Sequence, residues 1–369
     1  MEEWRKYKLK DFIEFNPKEK VPQGELCRKI SMDQITPFTR FVESNIYEVY
    51  KGGVKFRNYD TIMARITPCL ENGKTAYISS LHPEEVAVGS TEYIVLRKRE
   101  NISDSKFIFY LAISPIVRDI AIKSMVGSSG RQRVQQDVLE NYEIPIPSLP
   151  MQKNIAHILS VLDDKIELNK RINDNLEQQA QALFNEMFPH ITEGENMIGD
   201  LIMPKRGKGL LSKNAIKGDI PVVAGGIEPA TYHNQANTTA PVLTIAASGA
   251  NAGYINLWHI PVWASDSSYI DDSITPNVYF WYIMLKKRQK EIFDAQVGSA
   301  QPHIYPKHIA ELPMNVAFVE KIAEYNEIVT PIFEKKGQLF LEGKRLTSLR
   351  DTLLPKLMSG ELKINDINN

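Results

Sequence analysis

Cysteine is nearly missing from this chain, with only Cys27 and Cys69 among 369 residues. The two are far apart and match no CxxC or zinc-ligand spacing, so they read as buried or free thiols in a reducing compartment. An excess of one charge is missing too. The formal net charge is −1, so no global basicity advertises a polyanion, and any contact with nucleic acid must come from local clusters. No apolar run is long enough to cross a bilayer, and Met1-Glu2-Glu3-Trp4-Arg5-Lys6 contains no signal core. Both features predict a cytoplasmic protein with no membrane anchor.

Catalytic motifs are also lacking. Gly73-Lys74-Thr75 looks like the end of a Walker A loop, but the earlier glycine that the motif requires falls on Pro68. Gly207-Lys208-Gly209 is too short for a phosphate loop, and no GxGxxG follows a strand. None of the seven histidines forms HExxH, and His303 and His308 fall in a loop. No GxSxG, no Asn-Pro-Pro-aromatic methyl-transfer motif and no carboxylate–lysine nuclease pattern is present. These absences predict a chain with no catalytic site, no metal and no cofactor. An enzyme with an unrecognised site is one alternative, and turnover by the isolated chain would reveal it.

What the chain does contain is a duplication. Tyr77-Ile78 recurs as Tyr254-Ile255, Tyr93-Ile94 as Tyr269-Ile270, Val126-Gly127-Ser128 as Val297-Gly298-Ser299, and Ile155-Ala156 as Ile322-Ala323. The offsets are 177, 176, 171 and 167 residues, a slow drift that short insertions into a doubled unit would leave. Each unit is a globular part followed by a helix, too large for a solenoid repeat. In the first, residues 61–66 and 74–78 read as strands across a turn at 68–73, and residues 93–96 as a third. Residues 107–122 have helical spacing, and residues 144–150 carry too many prolines to continue a helix or a central strand. In the second, residues 241–245 and 254–258 are strands around a Gly/Ala loop, and residues 280–292 mirror the earlier helix.

Two long heptad seams follow the globular parts. Ile155, Leu159, Leu162, Ile166, Asn169, Asn173, Leu176, Ala180, Leu183 and Met187 step by fours and threes, interrupted by the two asparagines. Phe318, Ile322, Tyr325, Val329, Ile332, Leu339, Leu346, Leu353 and Leu357 repeat the pattern, with weak steps at Lys336, Gly343 and Arg350. Pro331 predicts a kink, or the start of the straight part. Neither stripe is stable alone in water, and the economical partner for each is the other. The expected fold class is α+β: two similar mixed α/β domains separated by two long helices that pair as an antiparallel coiled coil, with a pseudo-two-fold internal duplication. The expected divisions are residues 1–150, 151–190, 191–314 and 315–369. Packing of each helix on its own globular part, or pairing between chains, are the alternatives.

The stretch richest in binding chemistry is Val126 through Gly127-Ser128-Ser129-Gly130-Arg131-Gln132-Arg133. Small residues let a loop approach a phosphate backbone, and arginine and glutamine are the side chains that read guanine and adenine edges bidentately. Its counterpart ends in Gln301-Pro302-His303, keeping the small residues and exchanging the readers. A solvated Gly/Ser loop has the same composition. Other basic sets are Lys55, Arg57, Arg65 and Lys74, and Lys205-Arg206 with Lys208; Lys286-Lys287-Arg288 lies at a helix end, where the dipole alone explains it.

With these residues in view, the sequence resembles the specificity subunit of type I restriction–modification enzymes. The resemblance rests on residues 62–74, which include Arg65, Asn72 and Lys74, on Gly89-Ser90-Thr91-Glu92-Tyr93, and on residues 127–133. It continues in residues 155–169 and 353–362, and in residues 221–226 and 246–253, which include Ser248 and Asn251. The resemblance implies two target-recognition domains, each reading half of a split double-stranded DNA sequence. It also implies that two helices serve as spacer and docking surface for two methyltransferase (M) subunits. Those partners would carry S-adenosylmethionine, and a restriction/translocase (R) subunit could join them. The competing reading is a coiled-coil adaptor that holds protein partners; binding that weakens steeply as salt rises separates DNA from an apolar protein interface.

If the seams pair antiparallel, they act as a ruler. Deleting one matched heptad from both helices should shorten the bar by about 10 Å. That corresponds to roughly three base pairs and close to a third of a turn of B-DNA. Methylation mapping should then show a changed spacer between unchanged half-sites, or lost modification; deletion from one helix alone should mis-assemble the chain. An unaltered spacer after the matched deletion would show that the helices set no distance.

Overall fold

The computed structural model describes residues 4–298 and 301–363. Contacts divide the chain into two units, residues 1–168 with 342–369, and residues 169–341. The helices Leu149–Met187 and Val319–Ser359 each contribute one stretch to each unit.

In the first unit an antiparallel sheet is ordered Ile13–Phe15, Tyr93–Lys98, Thr61–Ala64, Thr75–Tyr77. A second sheet, ordered Tyr47–Val49, Leu26–Ile30, Val86–Gly89, Val54–Arg57, has one parallel pairing, between Leu26–Ile30 and Val86–Gly89. Gly53 lets strand Val54–Arg57 enter this sheet close against Gly89. A Cβ on Gly53 would lie 2.1 Å from the Gly89 carbonyl oxygen.

The helical spacing of residues 107–122 resolves into two helices, Ser105–Ile113 and Pro115–Lys123. Ser114, preceding a proline, is driven from the helical region to φ −67°, ψ 152°. Asp104 caps the first of them, accepting a 2.9 Å hydrogen bond from the Phe107 amide. Phe107 through Ala112 are all buried, so this helix is covered on every side rather than along one stripe. The proline-rich segment at 144–150 contributes a strand, Glu143–Ile146, in a two-stranded ribbon with Arg5–Lys8, a pairing that proline tolerates at an edge.

The second unit repeats this plan. Its sheet is ordered Lys205–Arg206, Ser267–Ile270, Val242–Ala246, Ile255–Trp258, followed by the helices Val278–Lys287 and Gln289–Asp294. A ribbon of Asn196–Met197 with Pro313–Met314 matches the ribbon of the first unit. The backbone also corrects the expected alignment of the repeat. The Ala64 amide donates to Lys74 O, and Ala246 to Tyr254 O; Ala64 pairs with Tyr93, and Ala246 with Ser267. Tyr254 therefore matches Lys74 rather than Tyr77, and Tyr93 matches Ser267 rather than Tyr269.

Within the first unit the helix stretches run antiparallel. Ile155 and Leu159 share a buried core with Leu354, Leu357 and Met358, while Leu162, Ile166, Leu346 and Leu353 are half-buried. Asp163 joins three elements. It accepts hydrogen bonds from the Tyr110 hydroxyl at 2.6 Å and from Arg350 Nη1 at 2.7 Å. Arg40 donates to the Tyr110 oxygen at 3.2 Å and pairs with Asp164.

In the second unit, Glu177 accepts from the Tyr282 hydroxyl at 2.8 Å and pairs with Lys336. Burial works against ionisation of Glu177, yet Lys336 and the hydrogen bonds from Lys336 and Tyr282 hold its carboxyl below the ordinary range. Tyr325 donates to Ala180 O at 2.9 Å. Ile322, Val329 and Leu339 are buried, Asn169 is buried, and Leu176 and Asn173 are half-buried. Gly337 lies against the His259 ring, where a Cβ would stand 2.8 Å from the imidazole. Burial and nearby Lys336 push the pKa of His259 down to about 4, so it packs as a neutral ring.

The seam moves at its ends. Phe184 and Phe188 are fully buried where Leu183 and Met187 were expected, and Phe333 and Leu354 are more deeply buried than Ile332 and Leu353. An α-helix of 3.6 residues per turn drifts about 20° per heptad from a strict 3.5 repeat. Over several heptads that approaches one residue position. Pro331 is exposed and lies inside the single helix Val319–Ser359.

Replacing Asp163 with Ala removes the acceptor of the Tyr110 hydroxyl and the buried partner of Arg350, leaving it only the exposed Asp351, and the expected loss is about 3 kcal/mol. Tyr110→Phe removes one hydrogen bond and should cost about 1 kcal/mol. Chemical denaturation of the full chain measures both; a loss under 1 kcal/mol for Asp163→Ala would mean the carboxylate ties nothing together.

Candidate nucleic-acid interface

The Gly/Ser stretch of the first unit is a narrow hairpin. Val126 and Arg133 exchange backbone hydrogen bonds of 3.0 and 2.9 Å, and the Arg131 amide closes a turn on Ser128 O at 3.0 Å. Gly127 at φ +140° and Gly130 at φ +76° supply backbone conformations that side chains resist. The hairpin is pinned to the chain that follows strand Thr61–Ala64. Thr67 donates its amide to Gln132 O at 3.0 Å, its hydroxyl accepts from the Gln132 amide at 2.9 Å, and Val134 donates to Arg65 O at 2.8 Å.

This places the expected readers unequally. Ser128, Ser129 and Arg131 are exposed at the tip, and Gln132 is half-buried. Arg133 is not free. Its Nε lies 3.0 Å from both Glu92 carboxylate oxygens, and its Nη2 lies 2.6 Å from Oε1. That hydrogen-bonded guanidinium holds Glu92 below the usual carboxylate range. Arg65 lies beside them, with its Nη2 donating to Val134 O at 3.2 Å and its Nε buried without a hydrogen-bond partner.

The other members of the first basic set are engaged elsewhere. The Lys74 ammonium donates to Met32 O at 2.7 Å, Lys55 lies over the Tyr50 ring at 4.9 Å, and Arg57 stands 3.6 Å from Glu19. Asn72 is exposed on the turn, its amide bonded to Pro68 O.

The second unit has the same frame. Val297 and His303 exchange backbone hydrogen bonds of 3.0 and 2.9 Å, Ile304 donates to Ala247 O at 2.9 Å, and Gly249 donates to Pro302 O at 3.1 Å. Arg133 therefore matches His303, and Gln132 matches Pro302. Ser299, in the repeated word, and the neighbouring Ala300 lie outside the described residues. Gln301 is exposed at the tip, and the His303 ring lies nearly parallel to Tyr305, with centroids 6.0 Å apart.

Arg65 donates its amide to Glu92 O at 2.9 Å, and Ala247 donates to Asp266 O at 3.1 Å, so Glu92 and Asp266 occupy equivalent backbone positions. Asp266 also holds a guanidinium, with Arg206 Nη2 at 2.6 Å, and it accepts from the Ser248 hydroxyl. Lys205 donates to the Ser273 hydroxyl at 2.9 Å, Lys208 is exposed, and Asn251 is half-buried with its carbonyl accepting from the Tyr254 amide. At the helix end, Arg288 is buried on Glu291 and Pro313 O, while Lys286 and Lys287 lie over Tyr254 and Phe184.

Sequence reading missed Glu92 and Asp266 as partners of the readers. Their signal was present, since each immediately precedes the strand that pairs with Thr61–Ala64 or Val242–Ala246. The two-residue slip that matched Tyr93 with Tyr269 set Glu92 against Ser268 and hid the correspondence. Among the described residues, no group of three His, Cys, Asp or Glu side chains is placed to hold a metal, both cysteines are free, and no helix is long and apolar enough to cross a membrane.

The family model for the type I restriction modification DNA specificity domain matches residues 1–178. A putative type I specificity subunit of Mycoplasma pneumoniae is 26% identical over 337 residues, covering 84% of this chain and 88% of the relative. One from Mycoplasma genitalium is 26% identical over 362 residues, covering 91% and 90%. The EcoAI specificity subunit of Escherichia coli is 32% identical over 208 residues, which cover 53% of this chain and 34% of that protein. The crystal structure of a type I restriction–modification system S subunit from M. genitalium shares the fold, with a TM-score of 0.60 at 21% identity over 96% of both chains. Residues 1–178 thus match the type I specificity domain, and putative type I specificity subunits resemble the chain over most of its length.

Proposed function

We propose that the chain reads DNA for a type I restriction–modification enzyme. Residues 1–150 and 191–314 act as the two target-recognition domains, each taking one half-site of a bipartite duplex sequence. Residues 151–190 and 315–369 form the helical spacer on which two adenine-methyltransferase subunits dock. The chain itself performs no chemistry. S-adenosylmethionine belongs to the methyltransferase subunits, and a restriction/translocase subunit is the partner needed for cleavage. The working location is the cytoplasm, where host DNA is modified.

The observation that carries this reading is the repeated hairpin. The same backbone frame, pinned by the same hydrogen bonds, presents Ser128, Ser129 and Arg131 in one unit and Gln301 in the other. A constant scaffold with different tips is what two readers of different sequences require. Arg65, Asn72 and Gln132 in the first unit, and Lys205, Arg206, Lys208, Ser248, Asn251 and His303 in the second, complete the proposed DNA face. Lys74, turned onto the Met32 carbonyl, supports its loop rather than reaching outward.

Arg131→Ala combined with Arg133→Ala should relax one half-site, with the other half-site and assembly with the methyltransferase unchanged. Loss of a bidentate guanine contact costs about 1–3 kcal/mol. Methylation mapping of host DNA measures the change. Unaltered specificity would leave these arginines as solvated side chains, and loss of assembly would put the hairpin at a subunit contact.

A further inference from the structure

Glu92 and Asp266 occupy one position in two units whose surrounding residues have diverged. Each accepts a guanidinium, but the arginines come from different places. Arg133 leaves the far strand of the hairpin, whereas Arg206 sits on strand Lys205–Arg206, paired with Ser268. The residue that matches Arg133 in the second unit is His303, so the pair there was built from another element. What the two units share is a carboxylate with an arginine on it, at the entry to the same strand.

Stability does not account for this repetition. The Arg133 and Glu92 side chains are 47% and 24% exposed, and those of Arg206 and Asp266 are 40% and 39% exposed. Ion pairs so open to water contribute little to stability. Orientation is a better account. The Nε–Nη2 edge of Arg133 is taken up by Glu92, leaving Nη1 and the outer Nη1–Nη2 edge of the guanidinium open. An arginine held along one edge keeps a planar pair of donors aimed in one direction, the arrangement that guanine O6 and N7 accept. A free arginine would serve a phosphate as well as a base; a held one discriminates.

We propose that Glu92 and Asp266 are positioning residues for DNA recognition: Glu92, holding the Nε–Nη2 edge of Arg133, orients it for an end-on bidentate contact with a guanine, and Asp266, holding Arg206 through Nη2 alone, directs it to a base in the other half-site. This rests on the reading of the hairpin face as the DNA face. The carboxylates touch no base. They set the direction of the guanidinium and, being negative, oppose its indiscriminate use on phosphates.

The test uses the full chain expressed with its methyltransferase subunits, with methylation mapped across host DNA. Glu92→Ala should lower discrimination at one base pair of the first unit's half-site by about tenfold, while overall methylation persists or spreads to near-cognate sites. Asp266→Ala should do the same in the other half-site only. In an Arg133→Ala background, Glu92→Ala should add nothing, because the carboxylate acts through that arginine. If Arg133→Ala relaxes a position and Glu92→Ala does not, the positioning role is overturned while the DNA face stands. If neither arginine matters, the DNA face itself fails. Equal loss of activity at every site, with a lowered melting temperature, would reduce Glu92 to a structural residue and overturn the proposal.

Discussion

Each unit depends on one carboxylate of the first long helix held from two sides. Asp163 takes the Tyr110 hydroxyl from helix Ser105–Ile113 and the Arg350 guanidinium from the second long helix. Glu177 takes the Tyr282 hydroxyl and Lys336 in the same manner. Apolar burial alone would hold two helices together at many rotations and offsets. A buried charge that needs a cation and a hydroxyl at once permits few. The seam supplies attraction, and the carboxylate supplies register. The cation changes from arginine to lysine between units, and the acid from aspartate to glutamate, yet the three-way arrangement survives.

Above that anchor, the proposed reading face is held mainly by backbone. The strand pairs, the hairpin closure and the bonds from Arg65 and Ala247 are amide-to-carbonyl contacts. Side chains such as Thr67, Arg65 and Ser248 add to that frame, while Ser128, Ser129, Arg131 and Gln301 stay exposed at the tips. This division explains how the two units keep one geometry while few of their facing residues agree.

Much of the plan was legible in the sequence. Duplication, the heptad helices and the Gly/Ser hairpin all leave periodic or compositional marks, because each depends on residue type at fixed spacing. The failures have definite causes. The helix break at Ser114 follows from Pro115, whose effect on its predecessor outweighed an unbroken apolar spacing. The shift from Leu183 to Phe184 follows from helical drift, invisible to a strict heptad count. The sheet containing Leu26–Ile30 and Val86–Gly89 was missed because its parallel pairing joins strands far apart in sequence. Glu92 escaped notice because its match with Asp266 emerges only when the repeat is aligned on strand pairing, and its partner Arg133 is forty-one positions away.

Gly337 bears on how such a chain tolerates changes of length. Its missing side chain makes a notch for the His259 ring, one residue beyond Lys336 and twelve beyond Tyr325, both tied to the first helix. A helix slides past its neighbour only by moving every one of these points together. Insertions or deletions between Tyr325 and Gly337 would carry the notch off the ring and leave a backbone turn against imidazole. At Gly343, by contrast, a Cβ would meet nothing within 4 Å. A change of helix length is therefore best absorbed around Gly343, between the notch and Arg350, whose bond to Asp163 grips the helix again.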